Sequence, residues 1–305
     1  MLENYRVQVF RAVAELLSFR RAAERLHISQ PSVSQHVQLL EEELGLRLLD
    51  RGASGIRLTP GGEVMLRFAN QSSRLSQQAI AQLAALEGAA GGALKLAASM
   101  TVAQYVLPRI LGPFLKQNPR VELNVKTGNT SQVTAWVAEG EADLGLIEGP
   151  PTRREVLVEH FLDDRMELIV PRNHPWARVT AQPVPLAALA TCPMLTREEG
   201  SGSRRVIEDA LAHAGLRSNQ LQILMELDST EAIVSGVEAG LGIGFVSELA
   251  IQKELRLKTL ACVPVAGLEI RRAFSLIRQA GPLAAGPLAA FRSFALGRAG
   301  RTQKS

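Results

Sequence analysis

The stretch from Ala22 to Leu44, AAERLHISQPSVSQHVQLLEEEL, constrains the fold more than any other part of the chain. It reads as two short helices joined by a tight turn. In the second helix Val33, Val37, Leu40 and Leu44 recur at i, i+4, i+7 and i+11, so they share one face and point inward. Pro31, Gln35 and Gln38 lie roughly opposite, flanked by Ser32 and Ser34. That outer face offers hydroxyls and amides and carries no Lys or Arg, whereas a merely solvated face usually carries Glu and Lys. Gln pairs bidentately with adenine and Ser serves either base, so the face suits base edges in a groove.

The flanks agree. Ser18 and Ser29 stand where N-caps are needed, and Pro31 falls in the first turn of the second helix. Ala23, His27 and Val33 have the spacing at which a helix-turn-helix places a small residue, a turn residue and an inward β-branched residue. The turn position needs a positive φ and prefers Gly; His is one of the side chains that tolerates it. The competing reading is an ordinary helical hairpin in an unrelated α protein.

A chain of 305 residues is long enough for two or three domains and a sizeable core. With 46% hydrophobic residues and no run near 18 apolar residues, it carries no membrane span. MLENYRVQVF lacks a basic segment followed by an apolar one, so no secretory signal is expected. Cys192 and Cys262 lack metal spacing and read as reduced, buried and structural, which favours the cytoplasm, at the nucleoid. The net charge of +4 is a weak pointer to nucleic acid. Residues 1–60 hold 8 Arg and no Lys against 7 acids. Placement matters more: Arg20, Arg21 and Arg25 lie on the first helix of the pair, and Arg47, Arg51 and Arg57 follow the second, where both sets can meet phosphates.

In chain order, residues 2–17 read as a first helix with Val9, Ala12, Val13 and Leu16 inward. Gly45 stops the second helix of the pair. LRLLDRGASGIRLTPGG reads as a two-stranded wing, anchored by Leu46, Leu48 and Leu49 and tipped by Gly52–Gly55, with Arg51 and Arg57 flanking the tip. Thr59 caps a helix that starts at Pro60 and runs to about Leu86. Phe68, Ser72, Leu75, Ala79, Gln82 and Leu86 alternate along it by 4 and 3, a coiled-coil seam diluted with polar residues. We read it as a dimer helix in preference to a core helix. Gly88 to Gly92 reads as a hinge.

Residues 2–87 resemble the winged helix-turn-helix and linker helix of LysR-type transcriptional regulators. The resemblance rests on SFRRAAERLHISQPSVSQHVQLLEEELGLRLLDR and RLTPGG, and length and pattern extend it to essentially the whole chain. Arg20 stands where Ser or Thr is common, Leu49 replaces the usual Phe, and Gln35 occupies a position that is often Arg, which bears on which bases are read. The resemblance implies base reading by Gln30, Pro31, Ser34 and Gln35 and a wing contact by Arg51. Ser32, Gln38 and Arg57 join them from side-chain chemistry and position.

Beyond the hinge the pattern alternates strand and helix. ALKLAAS, VELNVKTG and ADLGLIEG are strands with helices 104–117 and 131–139 between them, a βαβ series that implies a parallel sheet. From about Glu167 a second set begins: ELIVP, PMLTRE, helix 203–214, ILMELD, helix 230–239 and IGFVS. EIRRAFSLIR and helix 287–298 then return to the first lobe. The expected fold class is α+β multidomain: a winged helix-turn-helix over 1–59, a linker helix over 60–87, a hinge over 88–92, and a two-lobe α/β domain over 93–305. Lobe I spans about 93–165 and 267–305, and lobe II about 166–266. As in the family's regulatory half, this resembles a type 2 periplasmic binding protein, with the cleft at the carboxyl ends of the strands.

Four strand-to-helix junctions carry hydroxyls toward that cleft: Ser99-Met100-Thr101, Asn129-Thr130-Ser131, Gly200-Ser201-Gly202-Ser203 and Ser229-Thr230. Hydroxyls and free N–H groups at helix N-termini make an anion site, and each junction is also explained by capping alone. Arg197 and Arg204 either grip an oxyanion bidentately or are tied up by nearby glutamates. Glu148, at the end of the third strand, would repel an anion unless it is protonated or takes a donor from the ligand. IEGP and REEGSGSR resemble the branch with sulfite-responsive and carbon-fixation regulators, which implies a small inorganic or carboxylate-bearing anion.

The sequence gives no catalytic set. His27, His36, His160, His174 and His213 are scattered without metal spacing, so no metal or cofactor is expected. Gly240-Leu241-Gly242-Ile243-Gly244 follows a helix and precedes a strand, the wrong order for a dinucleotide fingerprint. Asp163-Asp164 and Glu41-Glu42-Glu43 read as solvated. The function expected is sequence-specific binding of double-stranded DNA at a dyad-symmetric operator, modulated by a small anionic effector. The resemblance adds a homotetramer built as a dimer of dimers, with RNA polymerase as a further partner. Competing readings are a solute-binding protein with a helical N-terminus and an architectural DNA-binding protein without a ligand.

Overall fold

The computed structural model describes residues 4–52, 55–86, 91–178, 182–281, 283 and 286–302. The chain divides near Gly92 into two units. In the first, α1 (Tyr5–Leu16), α2 (Phe19–Leu26) and α3 (Gln30–Leu44) precede the strands β1 (Leu49–Gly52) and β2 (Gly55–Leu58) and the 27-residue helix α4 (Pro60–Leu86). Phe10, Ala12, Val13, Ala22, Val33 and Val37 are fully buried in one core with Leu48, Leu49 and Ala69. Burying each large side chain contributes about 1.5–3 kcal/mol.

The caps follow the sequence. Ser18 Oγ accepts from the Arg21 N–H, Ser29 Oγ from that of Ser32, and Thr59 Oγ1 from that of Gly62. His27 and Gly45 take the left-handed conformation, with φ of 55° and 67°. Two leucines depart from expectation. Leu44 is 43% exposed and Leu46 61% exposed, because the core ends one turn before the Gly45 cap and only Leu48 and Leu49 turn back into it. Glu41 is not merely solvated: its Oε1 accepts the N–H groups of Leu48 and Leu49 and fixes the entry to the wing.

The second unit carries the remaining strands in one sheet. They are β3 (Gly92–Ser99), β4 (Val121–Gly128), β5 (Leu144–Glu148), β6 (Val156–Pro171), β7 (Pro193–Arg197), β8 (Gln222–Leu227), β9 (Ile243–Ser247), β10 (Leu260–Cys262) and β11 (Ile270–Gln279). The order is β4-β3-β5-β11-β6-β9-β7-β8, with β10 on β6. The helices are α5 (Leu107–Gln117), α6 (Thr130–Ala138), α7 (Gly202–His213), α8 (Thr230–Glu238), α9 (Gln252–Leu257) and α10 (Pro287–Thr302). The sheet is mixed. β3–β5, β9–β7 and β7–β8 pair in parallel, while the two long strands between them, β6 and β11, run antiparallel to each other and to their neighbours.

Those two strands join the lobes. β11 pairs with β5 through Phe274–Ile277, and β6 pairs with β9 through Met166–Ile169. Residues 163–165 and 271–273 lie between these zones and form the pivot. Lobe I is cored by Leu96, Leu144, Leu146, Phe114, Phe274 and Phe291, and lobe II by Leu168, Val170, Leu189, Leu211, Ile243 and Phe245. The β6 strand begins at Val156, eleven residues before the expected ELIVP, because its first half alternates polar residues and conceals the period. The helix expected at 104 begins at Met100 instead and opens into a π turn over Val102–Val106. Pro108 has no N–H to give the carbonyl four residues back, and the wider turn accommodates it.

Candidate functional site

The outer face of α3 is built as its composition requires. Gln30, Pro31, Gln35 and Gln38 are exposed, and Ser32 and Ser34 are half-buried. Ser32 is drawn toward the cap, its Oγ 3.0 Å from Ser29 Oγ. Gln38 Nε2 donates to Glu42 Oε1 at 2.9 Å. His36 sits edge-on to Tyr5 at 5.1 Å and faces the body of the unit. Arg57 is exposed on β2 opposite Asp50. Arg51 lies on β1, but its side chain and the wing tip at Ala53 and Ser54 fall outside the described residues. Arg20 and Arg25 are paired with Glu24 and Glu15 on the surface, contacts that phosphates can displace at small cost.

On α4, Val64, Phe68, Leu75, Ile80 and Leu83 are all more than half exposed. Val64, Phe68 and Leu75, spaced by 4 and 7, share one face of the helix. The side chains of Gln82 and Leu86, and the hinge residues 88–90, lie outside the described residues.

Within the second unit three of the four hydroxyl-bearing junctions reach Glu148, which is 1% exposed, and the fourth meets Thr101 beside it. Ser99 Oγ donates to Glu148 Oε2, while Thr101 Oγ1 and Ser203 Oγ reach Oε1 at 3.3 and 3.4 Å. Thr130 Oγ1 donates to the Glu148 carbonyl at 2.9 Å. The lobes meet here. Thr101 and Thr230 hydroxyls lie 3.3 Å apart, the Ser131 N–H donates to the Gly200 carbonyl at 3.2 Å, and Asn129 Nδ2 donates to the Glu199 carbonyl at 3.3 Å. Tyr105, on the π turn, donates to Glu231 at the start of α8. Burial first, and then that hydrogen bond, push the Tyr105 phenol above its usual range, so it stays a donor. Ser201 caps α7 by accepting from the Arg204 N–H at 3.4 Å. Gly200 takes a φ of +84°, and a Cβ on Gly202 would lie 1.8 Å from the Glu148 carbonyl oxygen, so glycine is required for this closure. Met100 is half-buried at the start of its helix.

The carboxylate therefore takes its donors from the chain itself. Of the two alternatives for Arg197 and Arg204, both follow the second and are tied to glutamates. Arg197 binds Glu198 through Nε at 2.8 Å and gives Nη1 to Thr230 Oγ1 at 3.2 Å. Because Thr230 accepts from Arg197, its own proton is free to point at Thr101. Arg204 is held by Glu208 and Glu226.

Asp164 corrects the reading of Asp163-Asp164 as a solvated pair. Neighbours on a strand point to opposite faces, and only Asp163 is exposed. Asp164 Oδ2 accepts from Arg272 Nε at 2.6 Å, with both side chains at or below 1% exposure, and Oδ1 accepts from Ser247 Oγ at 2.7 Å. Arg272 Nη1 reaches Ser203 Oγ at 2.6 Å. Arg272, Ser247 and Tyr105 lie at this site without having been singled out in the sequence. Arg272 sits in EIRRAFSLIR beside Arg271, and only strand alternation separates a buried arginine from a solvated one.

Cys192 and Cys262 are free thiols, half-buried rather than buried. Burial, with a smaller push from Glu167, raises the Cys262 thiol to about 12. Among the described residues no group of three or more His, Cys, Asp or Glu side chains is placed to hold a metal ion, and no helix is long and apolar enough to cross a membrane.

Comparison with known proteins places both units. Residues 5–63 match the family described as bacterial regulatory helix-turn-helix protein, lysR family, and residues 87–300 match the LysR substrate binding domain. A probable RuBisCO transcriptional regulator of a Synechocystis species is 37% identical over 275 residues, covering 89% of this chain and 79% of that one. The transcriptional regulator CysL of Bacillus subtilis is 34% identical, covering 89% of each. Among solved structures, the Synechocystis CcmR regulatory domain in complex with 2-PG is 26% identical, with a TM-score of 0.62 over 68% of this chain and 97% of that one. Full-length CbnR in complex with its target DNA, at 23% identity and a TM-score of 0.66 over 96% of this chain and 98% of that one, shares the fold.

Proposed function

Because the chain belongs to the LysR family of DNA-binding transcriptional regulators with an effector-binding domain, we propose that α3 enters a major groove and reads bases there with Gln30, Pro31, Ser34 and Gln35. Ser32, Gln38, Arg51 and Arg57 complete the contact surface. The observation that carries this reading is the exposed face of α3, which presents amides and hydroxyls and no cation. Backbone phosphates fall to the arginines around it, which position the protein without specifying sequence. The proposed boundaries are 1–59 for the DNA-binding domain, 60–87 for the linker helix, 88–92 for the hinge and 93–305 for the regulatory domain. The exposed stripe of α4 supports a dimer through that helix, and the assembly proposed is a dimer of dimers in the cytoplasm at the nucleoid. RNA polymerase is its partner in regulation.

The effector is a small anion held between the lobes by Ser99, Met100, Thr101, Thr130, Ser131, Arg197, Gly200, Ser201, Gly202, Ser203 and Thr230. Glu148 stands at their centre and already accepts three hydroxyl protons. An anion beside it is tolerated when it brings a proton or a hydroxyl of its own to that carboxylate. 2-PG, the ligand of the CcmR neighbour, is the first candidate. Binding shifts the regulator only so far as the effector prefers one lobe arrangement over another. The test is thermal melting of the full chain against a panel of small anions that includes 2-PG. Thr101→Ala combined with Ser201→Ala abolishes the stabilisation seen in the wild type. An unchanged shift removes those residues from the site.

A further inference from the structure

We propose that Arg272 is a contact residue for the effector, and that its Nη2 takes an oxygen of a small oxyanion held between the lobes. This rests on the effector reading above. A guanidinium carries five N–H groups. On Arg272, whose guanidinium lies over the Phe274 ring at 5.0 Å, Nε is spent on Asp164 and Nη1 on Ser203, whereas Nη2 is buried with no hydrogen-bond partner among the described residues. A buried charged donor left without an acceptor is costly, so an acceptor belongs there. The location says whose. Nη1 lies 2.6 Å from Ser203 Oγ, and that hydroxyl also reaches Glu148, so the guanidinium borders the donor set at the lobe junction. The two other arginines nearby are engaged, Arg197 by Glu198, Thr230 and the Asp228 carbonyl, and Arg204 by Glu208 and Glu226. Of the three, Arg272 is the one with a buried nitrogen that lacks a hydrogen-bond partner among the described residues.

The position has a mechanical consequence. Arg272 on β11 and Asp164 on β6 face each other directly at the pivot of the two lobes. An oxyanion on Nη2 therefore bears on both crossing strands as well as on the rim of the cleft. This gives occupancy a direct route to lobe orientation.

The experiment is thermal melting of the full chain titrated with inorganic phosphate, sulfate or sulfite. Removing Arg272 alone leaves Asp164 as a buried unpaired charge, so the main variant is Arg272→Met combined with Asp164→Leu, which removes both charges together. Arg272→Lys keeps a cation for Asp164 but lacks the second terminal nitrogen. Asp164→Asn keeps Nη2. The wild type is stabilised by at least one of the three anions. The double variant and Arg272→Lys each need at least tenfold more anion for the same shift, and Asp164→Asn stays within threefold. An unchanged anion response in the double variant and in Arg272→Lys overturns the proposal, as does the absence of any anion effect on the wild type. If those variants respond normally while Thr101→Ala with Ser201→Ala does not, only the role of Arg272 falls. If none of them loses the response, the effector site itself falls.

Discussion

Asp163 and Asp164 are neighbours with opposite fates, one solvated and one sealed against Arg272 at the pivot. Residue type does not separate them; the phase of the strand does, and β6 is half-polar along the stretch where that phase has to be read. The same holds for Arg271 and Arg272. Leu44 and Leu46 fail in the other direction, since a helical or strand pattern continues past the point where the core stops. Caps were legible residue by residue, because Ser18, Ser29, Thr59, His27 and Gly45 act through their own backbone neighbourhood. Another local pair carries a pH prediction. Hydrogen bonds from Arg292 hold the Glu159 carboxyl below its usual 4.5, against the smaller opposing effect of burial. A carboxylate depressed in the folded state stabilises above its unfolded value, and the contribution disappears as pH falls through the folded one. Glu159→Gln therefore lowers the melting temperature at pH 7 and has little effect at the acid end. An equal loss at both ends of a pH series of melts would contradict this account of α10 docking on β6.

At the scale of elements, length and period told most. The 27-residue helix α4 was legible because Thr59 and Pro60 mark its start and apolar residues recur along it. Phe68→Gln with Leu75→Gln should move the full chain to smaller species in sedimentation while leaving its helix content unchanged. An unaltered assembly would show that this stripe is not an interface. The π turn was not legible, because it depends on where Pro108 falls relative to a helix start that the sequence does not mark. It carries Tyr105, whose bond to Glu231 ties the two lobes. Tyr105→Phe removes one cross-lobe hydrogen bond, worth about 1.5–3 kcal/mol when one partner is charged. Hydrogen exchange at the start of α8 should quicken. Exchange identical to the wild type would make the contact incidental.

For the whole molecule, the alternation of strands and helices was enough to infer two lobes, and the junction hydroxyls lie where those lobes meet. What could not be read was the closure itself, which depends on pairings such as Thr101 with Thr230, 129 residues apart. Gly202 is where closure is most exposed to test. A methyl there meets the Glu148 carbonyl at 1.8 Å, so Gly202→Ala should hold the lobes apart and erase anion-induced stabilisation without unfolding either lobe. Retention of the full response would mean that the cleft works without this approach. The reading of DNA stands apart from the cleft and is the claim the rest depends on. Each wrong base pair should cost about 1–3 kcal/mol at a specific site. The most direct measurement is selection of duplexes from a random library by the full-length wild type and by Gln35→Ala. The wild type should enrich a dyad-symmetric sequence, and Gln35→Ala should lose preference at matching positions in both half-sites while keeping the rest. Failure of the wild type to enrich any sequence, or an identical preference from the variant, would contradict base reading by this face of α3.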